Sequence, residues 1–181
     1  PMTGNAPRNR RRALWVWLAL ALVLAGAAAY RAQAPIAQGP APAVRFQLLD
    51  GTRPALADWR GQAVLVSFWS TSCPVCLQEV PELNRLHREY RERGLRQVAV
   101  ALRHDPPDEV LDVVRRMDLA YPVALDLQGR VQRAFPAVAA TPTHFLVGPD
   151  GTLLERRVGR LDTARLEARL EGLLPASPGD A

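Results

Sequence analysis

Apolar residues are spaced along this 181-residue chain in three different rhythms. Residues 13–30, ALWVWLALALVLAGAAAY, are apolar without interruption and carry no charge. Residues 31–43, RAQAPIAQGPAPA, show no apolar period and read as an extended Ala/Pro tether. From Val44 the pattern becomes regular. VRFQLLDGTRPALADW holds a short strand, an Asp50-Gly51 turn and a return segment, which predicts a hairpin. AVLVSFWS and LRQVAVAL are nearly continuous apolar runs, the pattern of strands covered on both faces. Between them Val80, Leu83, Leu86 and Tyr90 recur at helical spacing, with Gly94 as the stop.

The second half continues in the same alternation. Asp105, Pro106 and Pro107 open a helix whose apolar face is Val110, Val113, Val114 and Met117. YPVALD predicts a short strand and GRVQRAF a short helix. THFLVGPDGTLLERRVG predicts a hairpin turned at Gly148 to Gly151. Asp162 or Thr163 caps a last helix with Leu166, Leu170, Leu173 and Leu174 on its inner face. Strands alternating with helices and ending in a hairpin and a helix predict an α/β domain with a mixed sheet over 44–174, followed by a disordered tail at 175–181.

Charge changes the reading of the N-terminus. All 23 basic residues are Arg, and the formal net charge is +5. Arg8, Arg10, Arg11, Arg12 and Arg31 flank the apolar run, and the remainder of the chain is balanced between Arg and acids. The excess is therefore a membrane-flanking feature, and a nucleic-acid role loses its electrostatic support. At about 1.5 Å per residue, a helix over 13–30 spans roughly 27 Å, enough for a hydrocarbon core. Trp15, Trp17 and Tyr30 lie toward its ends, where aromatic rings favour the interface. The Arg cluster predicts a cytoplasmic basic tail at 1–12, a single-pass anchor at 13–30 in the inner membrane, and a domain in the periplasm. A cleaved signal is the alternative, with Ala27 and Ala29 or Ala32 and Ala34 as its small-residue pattern.

The chain has two cysteines, Cys73 and Cys76, in SCPVC. They follow a predicted buried strand and open a predicted helix. Free N–H groups and the positive end of the helix dipole stabilise a thiolate there. Pro74 suits the first helical position, where its missing N–H leaves nothing unpaired. Cys76 lies on the same helical face and can close a disulfide with Cys73. A zinc site needs four ligands, and here there is one cysteine pair with His87, His104 and His144 scattered. A structural disulfide across so short a loop stabilises little. Thiol–disulfide exchange without a cofactor or metal is the remaining chemistry.

Two stretches, DGTRPALADWRGQAVLVSFWSTSCPVCLQEVPEL and ATPTHFLVGPDGTLLERRVG, resemble the membrane-anchored thioredoxin-like proteins of the TlpA, ResA and CcmG group. The resemblance covers about residues 44–174. It implies a thioredoxin-like fold with an extra N-terminal hairpin and an inserted strand–helix. It makes Cys73 the attacking and Cys76 the resolving thiol of a redox disulfide. It makes Thr141-Pro142 a cis-proline turn facing the cysteines, with the backbone before the proline pairing a bound peptide. It gives Glu79, one helical turn after Cys76, the tuning of the cysteines' acidity, since a carboxylate beside a thiol disfavours the thiolate and can carry its proton. Pro81 matches the proline inside that helix. The chain departs from the pattern at Ser72, where the group has Trp, and at Ser67, where thioredoxin has a buried Asp. A peroxidase site lacks its threonine three positions before Cys73, where Ser70 stands. His144, two residues after the proline, reads as a strand histidine with a satisfied ring.

These readings converge on a monomeric, periplasm-facing reductase of protein disulfides. Its expected partners are disulfide-bearing exported proteins and a membrane thiol-transfer donor. The substrates that the resemblance implies are apocytochrome c haem-site cysteines or oxidase copper-site cysteines. Pro74 and Val75 give a thiolate no hydrogen bond, so with Glu79 nearby the reduced pair keeps its protons. The alternatives are an oxidant or isomerase of exported proteins, or a copper-delivery module using Cys73, Cys76 and His144.

Overall fold

The computed structural model describes residues 15–21 and 39–175. Residues 15–21 form a short helix, α1, with exposed side chains. Among the described residues no helix is long and apolar enough to cross a membrane. The rest of the expected 13–30 span, the 1–12 tail and residues 31–38 and 176–181 lie outside the described residues.

Residues 39–175 are built on a six-stranded sheet in the order β1-β6-β5-β2-β3-β4. Its strands are β1 (Gly39–Pro40), β2 (Ala63–Trp69), β3 (Leu95–Ala101), β4 (Val123–Leu125), β5 (Thr143–Val147) and β6 (Thr152–Val158). The helices are α2 (Pro74–Tyr90), α3 (Pro107–Arg116), α4 (Arg130–Ala134) and α5 (Thr163–Leu173). β2, β3 and β4 are parallel, while β5 runs antiparallel to β2 and to β6. The sheet is mixed, and the α/β pattern read from the sequence is the observed one.

Every residue of β2 is buried, which explains its unbroken apolar run. Strand periodicity sends alternate side chains to opposite faces. Leu65 and Trp69 join Leu83, Leu86 and Tyr90 of α2 and Leu166 and Leu170 of α5 in one cluster. Val64, Val66 and Phe68 join Phe46, Val131, Phe135 and Phe145 in the other. Phe135 and Phe145 meet at a tilt with ring centres 4.8 Å apart, and Phe68 meets both rings edge-on. Each such side chain, fully withdrawn from water, contributes roughly 1.5–3 kcal/mol.

Three local expectations change. The stretch 31–43 is not all tether, because Gly39 and Pro40 pair with Leu153 and Thr152 of β6 and Ala41 N–H donates to Gly151. The hairpin after Val44 closes through Phe46 to Pro54 and Leu48 to Thr52, yet as isolated bridges rather than two strands. Its first arm turns instead to the open edge of β4, where Leu48 bridges Ala124, and its return becomes a 3-10 turn over Leu56–Trp59. Covering the β4 edge removes an exposed row of hydrogen-bonding groups. Asp105 does not cap α3; Pro106 holds that position, and the Asp105 carboxylate is committed elsewhere.

Gly94 (φ +100°) and Gly151 (φ +81°) sit where only glycine is unstrained, one leading from α2 into β3 and the other turning β5 into β6. A Cβ on Gly151 would also meet the Arg60 guanidinium at 2.5 Å.

Candidate active site

β2 delivers the chain to a short loop, residues 70–72, and then to α2, whose N-cap is Cys73. The loop is held by one buried carboxylate. Asp105 Oδ1 accepts from Ser70 Oγ at 2.7 Å, from Thr71 N–H at 3.2 Å and from Thr71 Oγ1 at 3.0 Å. Ser70 Oγ also contacts Ser72 Oγ at 3.0 Å, so the serine standing where the related group has Trp is tied to its own loop. Sequence reasoning assigned Asp105 to the α3 cap because Asp before Pro-Pro is a helix-start signal. The long-range partners at positions 70 and 71 left no local trace.

Cys73 and Cys76 form a disulfide with Cα atoms 5.3 Å apart. Cys73 Sγ accepts a hydrogen bond from Cys76 N–H at 3.2 Å. That N–H belongs to the first turn, which has no carbonyl partner of its own, so Cys73 sulfur occupies the anion-favouring position of the helix. Cys73 is 8 % exposed and Cys76 4 %. Around them Ser72, Pro74 and Val75 are exposed, which leaves the Cys73 side approachable by a second protein.

Behind the disulfide lies a narrow cavity with room for about one water. Cys76, Glu79, Pro142, His144, Ser67 and Tyr121 all line it. The Thr141–Pro142 peptide is cis, and Pro142 is buried while Thr141 is half-buried. Glu79 is 4 % exposed. Its Oε1 accepts from the Leu161 N–H, and its Oε2 lies 3.4 Å from His144 Nε2. Sequence position alone set Glu79 beside both cysteines; the cavity sets it on the Cys76 side. Burial, with the Glu79 charge adding, raises the Tyr121 phenol well above its ordinary value.

His144 is a strand histidine, and its Nδ1 is 2.9 Å from Ser67 Oγ. The satisfied-ring reading holds at that nitrogen. His144 Nε2 and Glu79 Oε2 have no hydrogen-bond partner. Among the described residues no group of three or more His, Cys, Asp or Glu is arranged to hold a metal ion.

The AhpC/TSA family model matches residues 37–156. Thiol-disulfide oxidoreductase ResA of Bacillus thuringiensis subsp. konkukian is 34 % identical over 128 residues, covering 70 % of this chain and 72 % of that protein. The ResA of Oceanobacillus iheyensis is also 34 % identical over 128 residues, covering 70 % of this chain and 65 % of that one. Among solved structures, a protein assigned as a thioredoxin from Neisseria meningitidis superposes with TM-score 0.68 at 31 % identity, over 74 % of this chain and 88 % of that one. One assigned as thiol:disulfide interchange protein DsbE from Chlorobium tepidum superposes with TM-score 0.67 at 27 % identity, over 74 % and 94 %.

Proposed function

The chain belongs to the AhpC/TSA family and is a thiol-disulfide oxidoreductase of the ResA kind, and from that premise we propose that it is a membrane-tethered reductase of protein disulfides on the periplasmic side of the inner membrane. The observation that carries the reading is the Cys73–Cys76 disulfide at the N-terminus of α2, with the Glu79 carboxylate buried in the cavity behind Cys76.

Cys73 reacts as the thiolate, which the free N–H groups of the first turn stabilise. It attacks a substrate disulfide, forming a mixed disulfide and releasing the first substrate sulfur as thiolate. Cys76 then gives its proton to Glu79 and attacks Cys73 sulfur. The Cys73–Cys76 bond forms, the mixed disulfide breaks, and the second substrate sulfur leaves as thiolate. That sulfur takes back the proton held at Glu79. The first takes one from solvent, matching the proton Cys73 had released. Two electrons pass from the dithiol to the substrate. The backbone at Thr141, before the cis proline, pairs with the substrate chain.

Substrates are exported proteins with paired cysteines, of which apocytochrome c haem-site and oxidase copper-site cysteines are the two classes the resemblance implies. A membrane thiol-transfer protein supplies electrons, since exported compartments are oxidising. A monomer anchored by residues 13–30 keeps the site near that donor.

The test is the reduction potential of the Cys73–Cys76 pair, set against glutathione buffers. A potential near that of thioredoxin, about −270 mV, is expected. A value near about −120 mV, that of a strong oxidant, overturns the reductant reading in favour of an oxidant or isomerase.

A further inference from the structure

The register of β2 against β5 puts Ser67 directly opposite His144. Directly opposed residues share a sheet face, and here both point to the α2 side, where apolar residues would otherwise stand. His144 is 2 % exposed and Ser67 6 %. A chain of polar atoms runs across this apolar interior from Ser67 Oγ to His144 Nδ1, from His144 Nε2 to Glu79 Oε2, and from Glu79 Oε1 to the Leu161 N–H. Its one open link is the 3.4 Å gap between imidazole and carboxylate, and both atoms of that gap lack a hydrogen-bond partner. Leaving buried polar atoms unsatisfied is destabilising, a penalty a purely structural site avoids. The residues on both sides of the gap line the cavity against Cys76.

We propose that Ser67, His144 and Glu79 form a proton relay beneath Cys76, in which His144 is a positioning residue that holds Glu79 against the cavity and shares with it the proton leaving Cys76. The proposal rests on the role given to Glu79 above. Neutral His144 with its proton on Nδ1 donates to Ser67 Oγ and turns a bare Nε2 toward the carboxylate. When Glu79 takes the Cys76 proton, Nε2 can accept it across the gap, leaving an imidazolium paired with the carboxylate. Ser67 Oγ accepts from Nδ1 before and after the transfer and so holds the ring with Nε2 toward Glu79. Return of the proton to the leaving substrate thiolate restores the starting arrangement.

The other charged or titratable groups around His144 are Cys76 on α2, Tyr121 before β4, Glu155 and Arg157 on β6, Asp162 before α5 and Arg165 on α5. Arg165 is paired with Glu155 at 3.3 Å, and Arg157 Nε donates to the Arg160 carbonyl at 3.3 Å. Asp162 Oδ1 accepts from the Arg165 N–H as the α5 cap.

The test follows resolution of the mixed disulfide in the full chain, held in detergent, after reaction with a disulfide-bonded peptide, as a function of pH. His144→Gln keeps a polar side chain that cannot carry the proton. The expected result is resolution slowed about tenfold with a changed pH profile, and an E79Q/H144Q double variant no slower than E79Q. Ser67→Ala, which removes one oxygen, tests the same relay if H144Q does not fold. A slowed, reshaped profile supports the relay, and a wild-type profile overturns it. Additive slowing in the double variant also overturns it. H144Q at wild-type rate with E79Q slow would mean Glu79 acts alone. Wild-type behaviour in both variants would remove the role of Glu79 as well.

Discussion

Helix α2 is one element with two differently built ends. At its start, the capping Cys73 with Cys76 and Glu79 brings sulfur and a carboxylate into the interior, and Glu79 Oε2 is left without a hydrogen bond. At its finish charged side chains pair with one another, although His87 Nδ1 also lacks a hydrogen-bond partner. Arg85 bonds Glu82 and Glu89 at 2.7 Å each and also Glu167 of α5. Just beyond the helix, Arg93 holds both oxygens of Glu171 at 2.7 Å, lies 5.1 Å from the centre of the Tyr90 ring, and Tyr90 donates to Glu171 at 3.0 Å. Between them Leu83, Leu86 and Tyr90 face the sheet. The difference therefore separates the helix into a reactive end and an anchoring end, and substitutions at the two should move different observables.

The largest effect is expected at the reactive end. Cys73→Ala should abolish disulfide reduction, and Cys76→Ala should accumulate the mixed disulfide with substrate, visible as a mass shift that reductant reverses. Because the i,i+3 bridge closes so short a loop, neither should lower thermal stability much relative to the oxidised wild type. Trapping by Cys73→Ala instead would reverse the two thiols' roles. Next comes the anchoring end. Leu86 is 0 % exposed, and Leu86→Ala should cost about 2–5 kcal/mol in denaturant unfolding. The reduction potential should stay put. A shifted potential would show that the two ends are mechanically coupled, against the comparison.

Glu79→Gln returns to the reactive end with a smaller effect. It keeps the shape and removes the base, so resolution should slow about a hundredfold, equivalent to about 2.7 kcal/mol of barrier. Initial attack by Cys73 should be unchanged or faster, since a nearby negative charge disfavours a thiolate. Slowing of the attack instead would place Glu79's action on Cys73.

Much of this division could be read before any coordinates. Cys73, Pro74 and the i,i+3 cysteine are local signals, and so are the α2 periodicity and the buried β2 and β3 runs. The mixed sheet followed from their order. What could not be read depends on pairings between distant residues. Ser67 and His144 are 77 positions apart, and only the β2–β5 register sets them opposite each other. Asp105 bonds a loop 34 residues away, while its immediate neighbours imitate a helix cap. Gly39 and Pro40 looked like tether because a two-residue edge strand has no period to detect. Glu79 was legible as a position and not as an environment, since burial on α2 depends on how α5 and its preceding loop close over it.

The smallest predicted effect tests the anchoring end through pH. Arg93 first, and the Tyr90 hydroxyl second, hold the Glu171 carboxyl below its ordinary value. A carboxylate with a depressed folded value stabilises the fold above the unfolded value and loses that contribution as pH falls through the folded one. Tyr90 is the reverse case. Burial first, then donation to Glu171, raises its phenol from 10.0 to about 12. A raised folded value means the unfolded chain ionises first, so this contribution is complete below about pH 10 and is lost as pH rises from there through the folded value. The clamp should therefore act in full on a plateau between the carboxylate range and pH 10. Glu171→Gln should lower the melting temperature slightly on that plateau, and the difference from wild type should close at the acid end and narrow at the alkaline end, where Arg93 still holds Glu171. Glu171 is exposed, so the shift should also shrink with added salt. The Cys73–Cys76 potential should be the same in both proteins at every pH. A melting difference that persists below the carboxylate range would assign the effect to packing of α5, and a shifted potential would join the two ends of α2 that the structure keeps apart.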